Sequence, residues 1–425
     1  MADPPSDPRS DPTTDRTRLA RAVARLDELV DWERRDRSGG MDRSLAPICD
    51  ILTRLGDPHR SWRAVHVAGS KGKGSVCALV AAAMARAGRR VGVYASPHVE
   101  RVNERVRIDG REVGDAALAA GLEAAWEARS QALHAGSAGR AATWFDLVTA
   151  AAFRVFARAE VEWAVVECGL GGRLDSTNVL ASPFCAVTTV ELEHTSVLGT
   201  SRAAIAREKG AILGPGGTLV TGASDPAALA VLEEIAAGRG GRLVVVPQAG
   251  GFEPRNLALA AALLEALGPP YGPELLDEDV RRAARLPARD ERFALGGVPV
   301  VLDAAHVAES VAILMAELAL DPRLRALPQV VCALGRDKDA AAILKALAGR
   351  ADRVFGTSSR AGPLLSAGDL AEAARRAGLS AEAVEEPREA LRRALERAAG
   401  GGWVLIIGSF YLAGELRPEL ATHPC

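Results

Sequence analysis

From about residue 62 onward, short apolar runs rich in β-branched residues alternate with longer segments of helical periodicity. The runs "WRAVHVAG", "RVGVYAS", "EWAVVEC", "FCAVTTVEL" and "GTLVTG" predict strands. They are nearly continuous in apolar character, as expected of strands covered on both faces. Segments such as "KGSVCALVAAAMARAG" predict the covering helices. A second set begins near Glu291, with strands at "VPVVLDAAH", "QVVCALG", "DRVFGTS" and "WVLIIGSF". Helical stretches such as "DKDAAAILKALAGR" and "DLAEAARRAG" separate them. This alternation predicts an α/β protein: a parallel-sheet domain followed by a smaller doubly wound, Rossmann-like domain. The expected boundaries are a disordered tail over 1–18, a first domain over 19–284 and a second over 285–425, with "RLPARDERF" as the hinge region. The Gly- and Ala-rich stretch near 134–142 predicts a surface loop, and no repeat of fixed period is present.

Composition narrows the classes. A chain of 425 residues exceeds one ordinary core, which supports the two-domain reading. With 48 % hydrophobic and 25 % charged residues it has the balance of a soluble globular protein. A net charge of −2, with Arg interspersed among Asp and Glu, gives no basis for a nucleic-acid or anionic-membrane partner. No apolar run reaches the ~18 residues of a membrane span. The cysteines at 49, 77, 168, 185, 332 and 425 form no CxxC pair, so reduced thiols in a cytoplasmic protein are expected. The opening "MADPPSDPRSDPTTDRTR" has no apolar core and reads as a tail, not a signal peptide.

The chemistry begins at "VAGSKGKGS", Val67–Ser75. Strand, glycine-rich turn and helix is the context of a phosphate loop: glycines let backbone amides approach the oxygens, and the helix N-terminus favours negative charge. Lys73 would reach the terminal phosphates. A phosphate loop normally places Ser or Thr directly after this lysine; here Gly74 intervenes and the hydroxyl arrives at Ser75. A plain βα turn carrying a solvated lysine pair is the alternative. In "ECGLGGRLDSTN", Glu167 closes a strand, the edge at which open α/β sheets bind ligands, and suits Mg²⁺; a solvated Gly-rich turn is again the alternative. His194 in "VELEHTSVLG" also follows a strand, where a structural histidine is the commoner case. Lys209 ends a helical stretch that starts near Ser201, and by itself reads as a surface charge. Ser96 and His98 in "ASPH", Asp303 and His306 in "LDAAH", and "GRDKD" are weaker features. In the last, Asp337 reads as a helix N-cap favoured by the helix dipole.

In this order and spacing, the segments resemble the folylpolyglutamate synthase/dihydrofolate synthase branch of the Mur ligase family, from about Leu26 to Arg417. The resemblance rests on "LGDPHRSWRAVHVAGSKGKGSV", "VYASPHVERVNERVRIDG", "ECGLGGRLDSTNV", "HTSVLGTSRAAIAREKGAI", "DKD" and "IIGSFYLAGELR". It accounts for the late hydroxyl, because this branch carries Gly after the loop lysine and Ser or Thr next. It implies an ATP-dependent ligase that adds L-glutamate to dihydropteroate, to the γ-carboxyl of folate, or to both, through an acyl phosphate. ATP would be held by Gly69, Ser70, Lys71, Gly72, Lys73, Gly74 and Ser75, with Asn256, Arg289, Asp303 and His306. The family's metal positions match Ser96, Glu167, His194 and Lys209, the last as a carbamate, which implies two Mg²⁺ ions. Lys73, His194 and Lys209 would carry catalysis, and a cytoplasmic monomer with small-molecule substrates is expected.

The sequence departs from the family in three places. "DAAHVAES" stands for the usual "DGAHNP", and "PARDE" for "PGRLE". Between "RLVVVPQ" and "RNLALA" only "AGGFEP" remains of a longer insert of small strands, so the small sheet beside the ATP site is expected to be missing. A ligase acting on another carboxylic acid and a non-catalytic nucleotide-binding protein are the competing readings.

Overall fold

The computed structural model describes residues 12–30, 44–359 and 362–422. They form two units: one runs to His98 and resumes over Val102–Arg285, and the other holds Val99–Arg101 and the chain from Leu286.

The first unit is built on β1 (Arg63–Ala68), β2 (Val91–Tyr94), β3 (Val106–Ile108), β4 (Arg111–Glu112), β5 (Trp163–Glu167), β6 (Phe184–Val187), β7 (Thr218–Thr221) and β8 (Arg242–Val245). Their order is β4-β3-β2-β5-β1-β6-β7-β8, with every pairing parallel except the two that β3 makes, with β2 and β4, at one edge. Alternate residues of a strand feed different cores. Trp163 and Val165 pack with Val76, Val80 and Met84 of the helix Lys73–Arg86 and with Leu259 and Leu263 of the helix Phe252–Leu267. Ala164 and Val166 pack instead with Leu147, Phe153 and Phe156 of the helix Trp144–Arg158. A one-residue slip would exchange the two sets, so burial on both faces fixes the register.

The tail expected over 1–18 lies outside the described residues as far as 11, and from Pro12 the chain is helical to Leu26. Leu19, Ala22 and Leu26 share one helix face and are buried with Leu118 and Leu122, and this burial outweighs the polar composition. After β8 the chain passes through residues 246–251, which hold no strand, directly into the helix Phe252–Leu267.

The second unit contains β9 (Glu291–Leu295), β10 (Val298–Leu302), β11 (Gln329–Cys332), β12 (Arg353–Gly356), β13 (Ala381–Ala383) and β14 (Val404–Ile407). The order is β13-β12-β11-β14-β10-β9, and only β9 is antiparallel. Gly296 and Gly297, both at positive φ, close the β9–β10 hairpin with the handedness that strand twist requires. Because β14 lies between β11 and β10, the loops after these three strands emerge side by side, a position at which α/β sheets take ligands. No helix of the described residues is long and apolar enough to cross a membrane.

Candidate functional site

β1 sits at the centre of the first sheet, and its C-terminal end feeds the glycine loop. The loop is pinned to the segment after β6. Ser70 N donates to Thr189 O (2.9 Å), Lys71 N donates to Thr189 Oγ1 (3.0 Å), and Thr188 Oγ1 donates to Lys71 O. Ser70 Oγ accepts from Glu191 N (3.0 Å). The amides of Ser70 and Lys71 are therefore committed within the protein. Those of Lys73, Gly74 and Ser75 open the helix Lys73–Arg86, and first-turn amides have no intrahelical acceptor. The amides open to an anion are thus those of the loop's second half, at the positive end of a helix. Close approach fixes the glycines: a Cβ on Gly69 would lie 1.9 Å from Thr188 Oγ1, and one on Gly72 2.3 Å from Asn256 Oδ1. This second contact places Asn256 against the loop.

Lys73 Nζ donates to Gly69 O (3.2 Å) and stands 4.0 Å from Glu167 Oε1. The register pairs Val67 with Glu167, so the carboxylate ends β5 beside the loop. It is buried, and its Oε2 accepts from Ser96 N (3.1 Å) at the end of β2. Lys73, Glu167 and Ser96 thus meet at the ends of β1, β5 and β2.

Lys209 lies in the helix Arg202–Gly210, which Ser201 caps. The surface-charge reading fails there, because the side chain is 2 % exposed and donates to Glu193 Oε1 (3.0 Å). Glu193 Oε2 lies 3.9 Å from Lys71 Nζ. Burial pushes the Lys209 amine down, against the pull of Glu193. Burial pushes Glu193 up, but Lys209, Lys73 and Lys71 together hold it down at about 2. Glu193 was not singled out from the sequence; its only signal is a carboxylate directly before His194 in "VELEH". His194 itself adopts a left-handed backbone, φ 47°, ahead of the helix Thr195–Leu198.

Among the described residues no group of three or more His, Cys, Asp and Glu side chains is gathered for a metal. Mg²⁺ does not require one, since it is usually bound by one or two carboxylates, substrate phosphate and water. Buried Glu167 beside Ser96, next to an anion-binding helix end, fits that pattern. As an ammonium hydrogen-bonded to Glu193, Lys209 is not a ligand.

In the second unit, Asp303 follows β10 and accepts from Asp290 N (2.9 Å) and Ala305 N (2.7 Å), tying the two loops together. Burial raises its carboxyl, opposed by Arg289. The Arg289 guanidinium lies 4.6 Å over the Phe410 ring, and His306 faces the same ring at 6.1 Å. Arg289, Asp303 and His306 thus share one neighbourhood, with Phe410 as a member the sequence did not reveal. The N-cap expected of Asp337 is taken by Asp339, which accepts from Ala342 N (3.0 Å), because the helix begins only at Ala340. Asp337 pairs with Lys338 (2.9 Å).

Residues 288–410 match the family model described as Mur ligase, glutamate ligase domain. The chain is 34 % identical over 355 residues to a dihydrofolate synthase/folylpolyglutamate synthase of Mycobacterium tuberculosis, covering 72 % of each chain. It belongs to the folylpolyglutamate synthase/dihydrofolate synthase family. It is also 33 % identical to a probable bifunctional folylpolyglutamate synthase/dihydropteroate synthase of Haloferax volcanii, over 86 % of this chain and 47 % of the relative. The chain therefore spans about half the length of the haloarchaeal relatives it matches. Solved family structures superpose over nearly the whole chain. The folylpolyglutamate synthase of M. tuberculosis complexed with ADP aligns with a TM-score of 0.84 and 28 % identity, covering 97 % of this chain and 100 % of that one. The bifunctional enzyme of Yersinia pestis complexed with AMPPNP and Mn aligns at 0.80 and 29 %, covering 95 % and 98 %.

Proposed function

We propose that this chain is an ATP-dependent ligase that adds L-glutamate to dihydropteroate, to the γ-carboxyl of a reduced folate, or to both, through an acyl phosphate. One observation carries the reading: Lys73, buried Glu167 and Ser96 converge at neighbouring strand ends beside the first-turn amides of the helix Lys73–Arg86. The ligands named for the family's solved structures, ADP and AMPPNP with Mn, suit that chemistry.

A carboxylate is a poor electrophile at neutral pH, and transfer of the terminal phosphoryl group of ATP activates it. Lys73 and the amides of Lys73–Ser75 offset the repulsion between the two anions and align them. The glutamate amine then attacks the acyl carbon, the bond to the phosphate oxygen breaks, and the amine loses its proton as the amide forms. Glu167 and Ser96, with His194, would hold Mg²⁺, which when bound supplies charge neutralisation at the phosphates. We also propose Asn256, Arg289, Asp303 and His306 as nucleotide contacts.

Lys209 is proposed as the carbamylated lysine. Its amine, which burial favours in the neutral form, would attack CO₂, forming a nitrogen–carbon bond and releasing a proton. The product is an anion beside Glu193, which requires a further cation, so two Mg²⁺ are expected. A cytoplasmic monomer is the accompanying proposal; its location is supported by cysteines that remain free among the described residues.

The test is to incubate the purified chain with ATP, Mg²⁺, L-glutamate and either dihydropteroate or tetrahydrofolate, reading phosphate release and product mass. A glutamylated product is expected with at least one acceptor; none with either overturns the proposal. The carbamate is read separately by a ¹³C resonance after supply of ¹³C-bicarbonate.

A further inference from the structure

In β1, three residues before Gly69, His66 is fully buried. Its neighbours Val65 and Val67 pack on the helix Lys73–Arg86, so His66 faces the other side of the sheet. There its Nε2 lies 2.8 Å from Thr177 Oγ1 and 3.1 Å from Cys168 Sγ. Thr177 Oγ1 in turn donates to Asp175 Oδ1 (2.5 Å), and Asp175 Oδ2 accepts from Leu170 N (2.8 Å). Because the hydroxyl proton goes to Asp175, Thr177 receives the proton of His66 Nε2. Nδ1 then carries the lone pair and has no partner in the structure. The chain of donors is directional: His66, Thr177, Asp175, with Leu170 donating to the same carboxylate from the other side.

This chain holds the loop that leaves β5 immediately after Glu167. The far side of the same loop rests on the helix that carries Lys209. Arg173 N donates to Glu208 O (2.8 Å) and Arg173 Nε to Glu208 Oε1 (2.8 Å). Gly172 is so close that a Cβ there would lie 2.6 Å from Glu208 O and 3.0 Å from Lys209 O. Glu167 and Lys209 are therefore joined through one short loop, and His66 is the buried donor that fixes it from the central strand. A histidine that cannot reach solvent and leaves a buried nitrogen unpaired is a costly filler for a strand.

We infer that His66 is a positioning residue for the ligase site, setting the loop Gly169–Asn178 and through it the relation of Glu167 to Lys209. The consequence for metal use rests on the function proposed above; the consequence for the loop does not.

The experiment compares the full-length wild type with His66→Gln, which keeps an N–H donor, and His66→Leu, which does not. Hydrogen exchange over 169–178, including the Leu170 amide, is read without ligands, and the Mg²⁺ dependence of ligation is read alongside. In His66→Leu, exchange over this segment rises about tenfold, the scale of one lost buried hydrogen bond, while peptides from β7 and β8 are unchanged. The Mg²⁺ concentration for half-maximal rate rises several-fold with a smaller change in kcat, and His66→Gln restores both. Wild-type exchange in His66→Leu, or exchange as fast in His66→Gln as in His66→Leu, overturns the inference. If the leucine variant does not fold, Thr177→Val breaks the same chain one link later, and the same two exchange outcomes decide. Failure of the wild type to ligate any acceptor would remove the proposed function but leave the exchange result to judge His66.

Discussion

Replacing Gly72 by alanine tests the loop geometry with two separable penalties. Gly72 has φ 81°, a left-handed conformation that costs an ordinary L-residue about 1–2 kcal/mol. The added Cβ would also lie 2.3 Å from Asn256 Oδ1, far inside the ~3.5 Å of normal contact. Relief by pushing Asn256 off its rotamer costs a further ~0.5–1.5 kcal/mol. Gly72→Ala is therefore expected to lose about 2–3 kcal/mol of stability in the first unit, measured by urea unfolding followed through tryptophan fluorescence. Gly72 also sets the start of the helix whose first-turn amides are proposed to receive phosphate. Its displacement should weaken ADP binding about 10- to 100-fold by calorimetric titration, each factor of ten being about 1.4 kcal/mol. The double variant Gly72→Ala/Asn256→Ala removes the contact, leaves the backbone strain and keeps a good helix former at 256. It should recover about 1 kcal/mol, read on stability alone because Asn256 is itself a proposed nucleotide contact. Wild-type stability and ADP affinity in Gly72→Ala would refute the reasoning, and so would a double variant no more stable than the single one.

Lys73→Ala should lower ligation at least ~100-fold, the scale of losing one aligned charge at the transferring group, with the unfolding midpoint little changed. Full activity would remove Lys73 from the site. Asp303→Ala strands the amides of Asp290 and Ala305 and should cost about 2–4 kcal/mol in chemical denaturation, with Asp303→Asn less affected because one oxygen acceptor remains. His66 titrates at about 3 in the fold because burial disfavours its charged form, against 6.5 for a free imidazole. The unfolded chain therefore takes up a proton below pH 6.5 that the native chain refuses, so this contribution is intact above 6.5 and is lost as pH falls toward 3. Between pH 7 and 5 it amounts to about 2 kcal/mol, and His66→Gln should show that much less loss in urea unfolding at the two pH values.

The strands legible in the sequence are those buried on both faces, such as β5 and β14, whose continuous apolar runs admit few other structures. β4 is two exposed charged residues and β13 has no fully buried position, so neither carries a pattern; they exist because a neighbouring strand offers an edge. β8 is likewise a half-exposed edge strand. At the site, position was legible wherever a strand end dictated it, as for Glu167 and the glycine loop. Environment was not. In "AREKGAI" nothing local distinguishes Lys209 from a solvated lysine; its helix is packed by the helix Pro226–Gly238, and its partner Glu193 comes from another loop. The contact of Asn256 with Gly72 is likewise a product of folding between distant parts of the chain. Ser70 shows the converse: its hydroxyl suits a phosphate, yet the structure uses it to hold Glu191 N.

Lys71, which the resemblance places among the ATP contacts, also has a role in the charge balance of the site. Three ammonium groups, on Lys71, Lys73 and Lys209, stand against the carboxylates of Glu167 and Glu193. With Lys209 unmodified these groups leave a net positive site, suited to receiving a polyanion. A carbamate on Lys209 reverses the balance and turns the 3.0 Å contact with Glu193 from attraction into repulsion. Two responses can relieve it: Glu193 shifts fully to Lys71, or a divalent cation enters between the anions. Lys71 already stands 3.9 Å from Glu193, so the first response is built into this chain. It would let Lys209, if carbamylated as proposed, persist before metal arrives, while metal and carbamate would still favour one another by linkage. The extra lysine in "GSKGKGS" is therefore placed to act on Glu193 and, through it, on the lysine behind it.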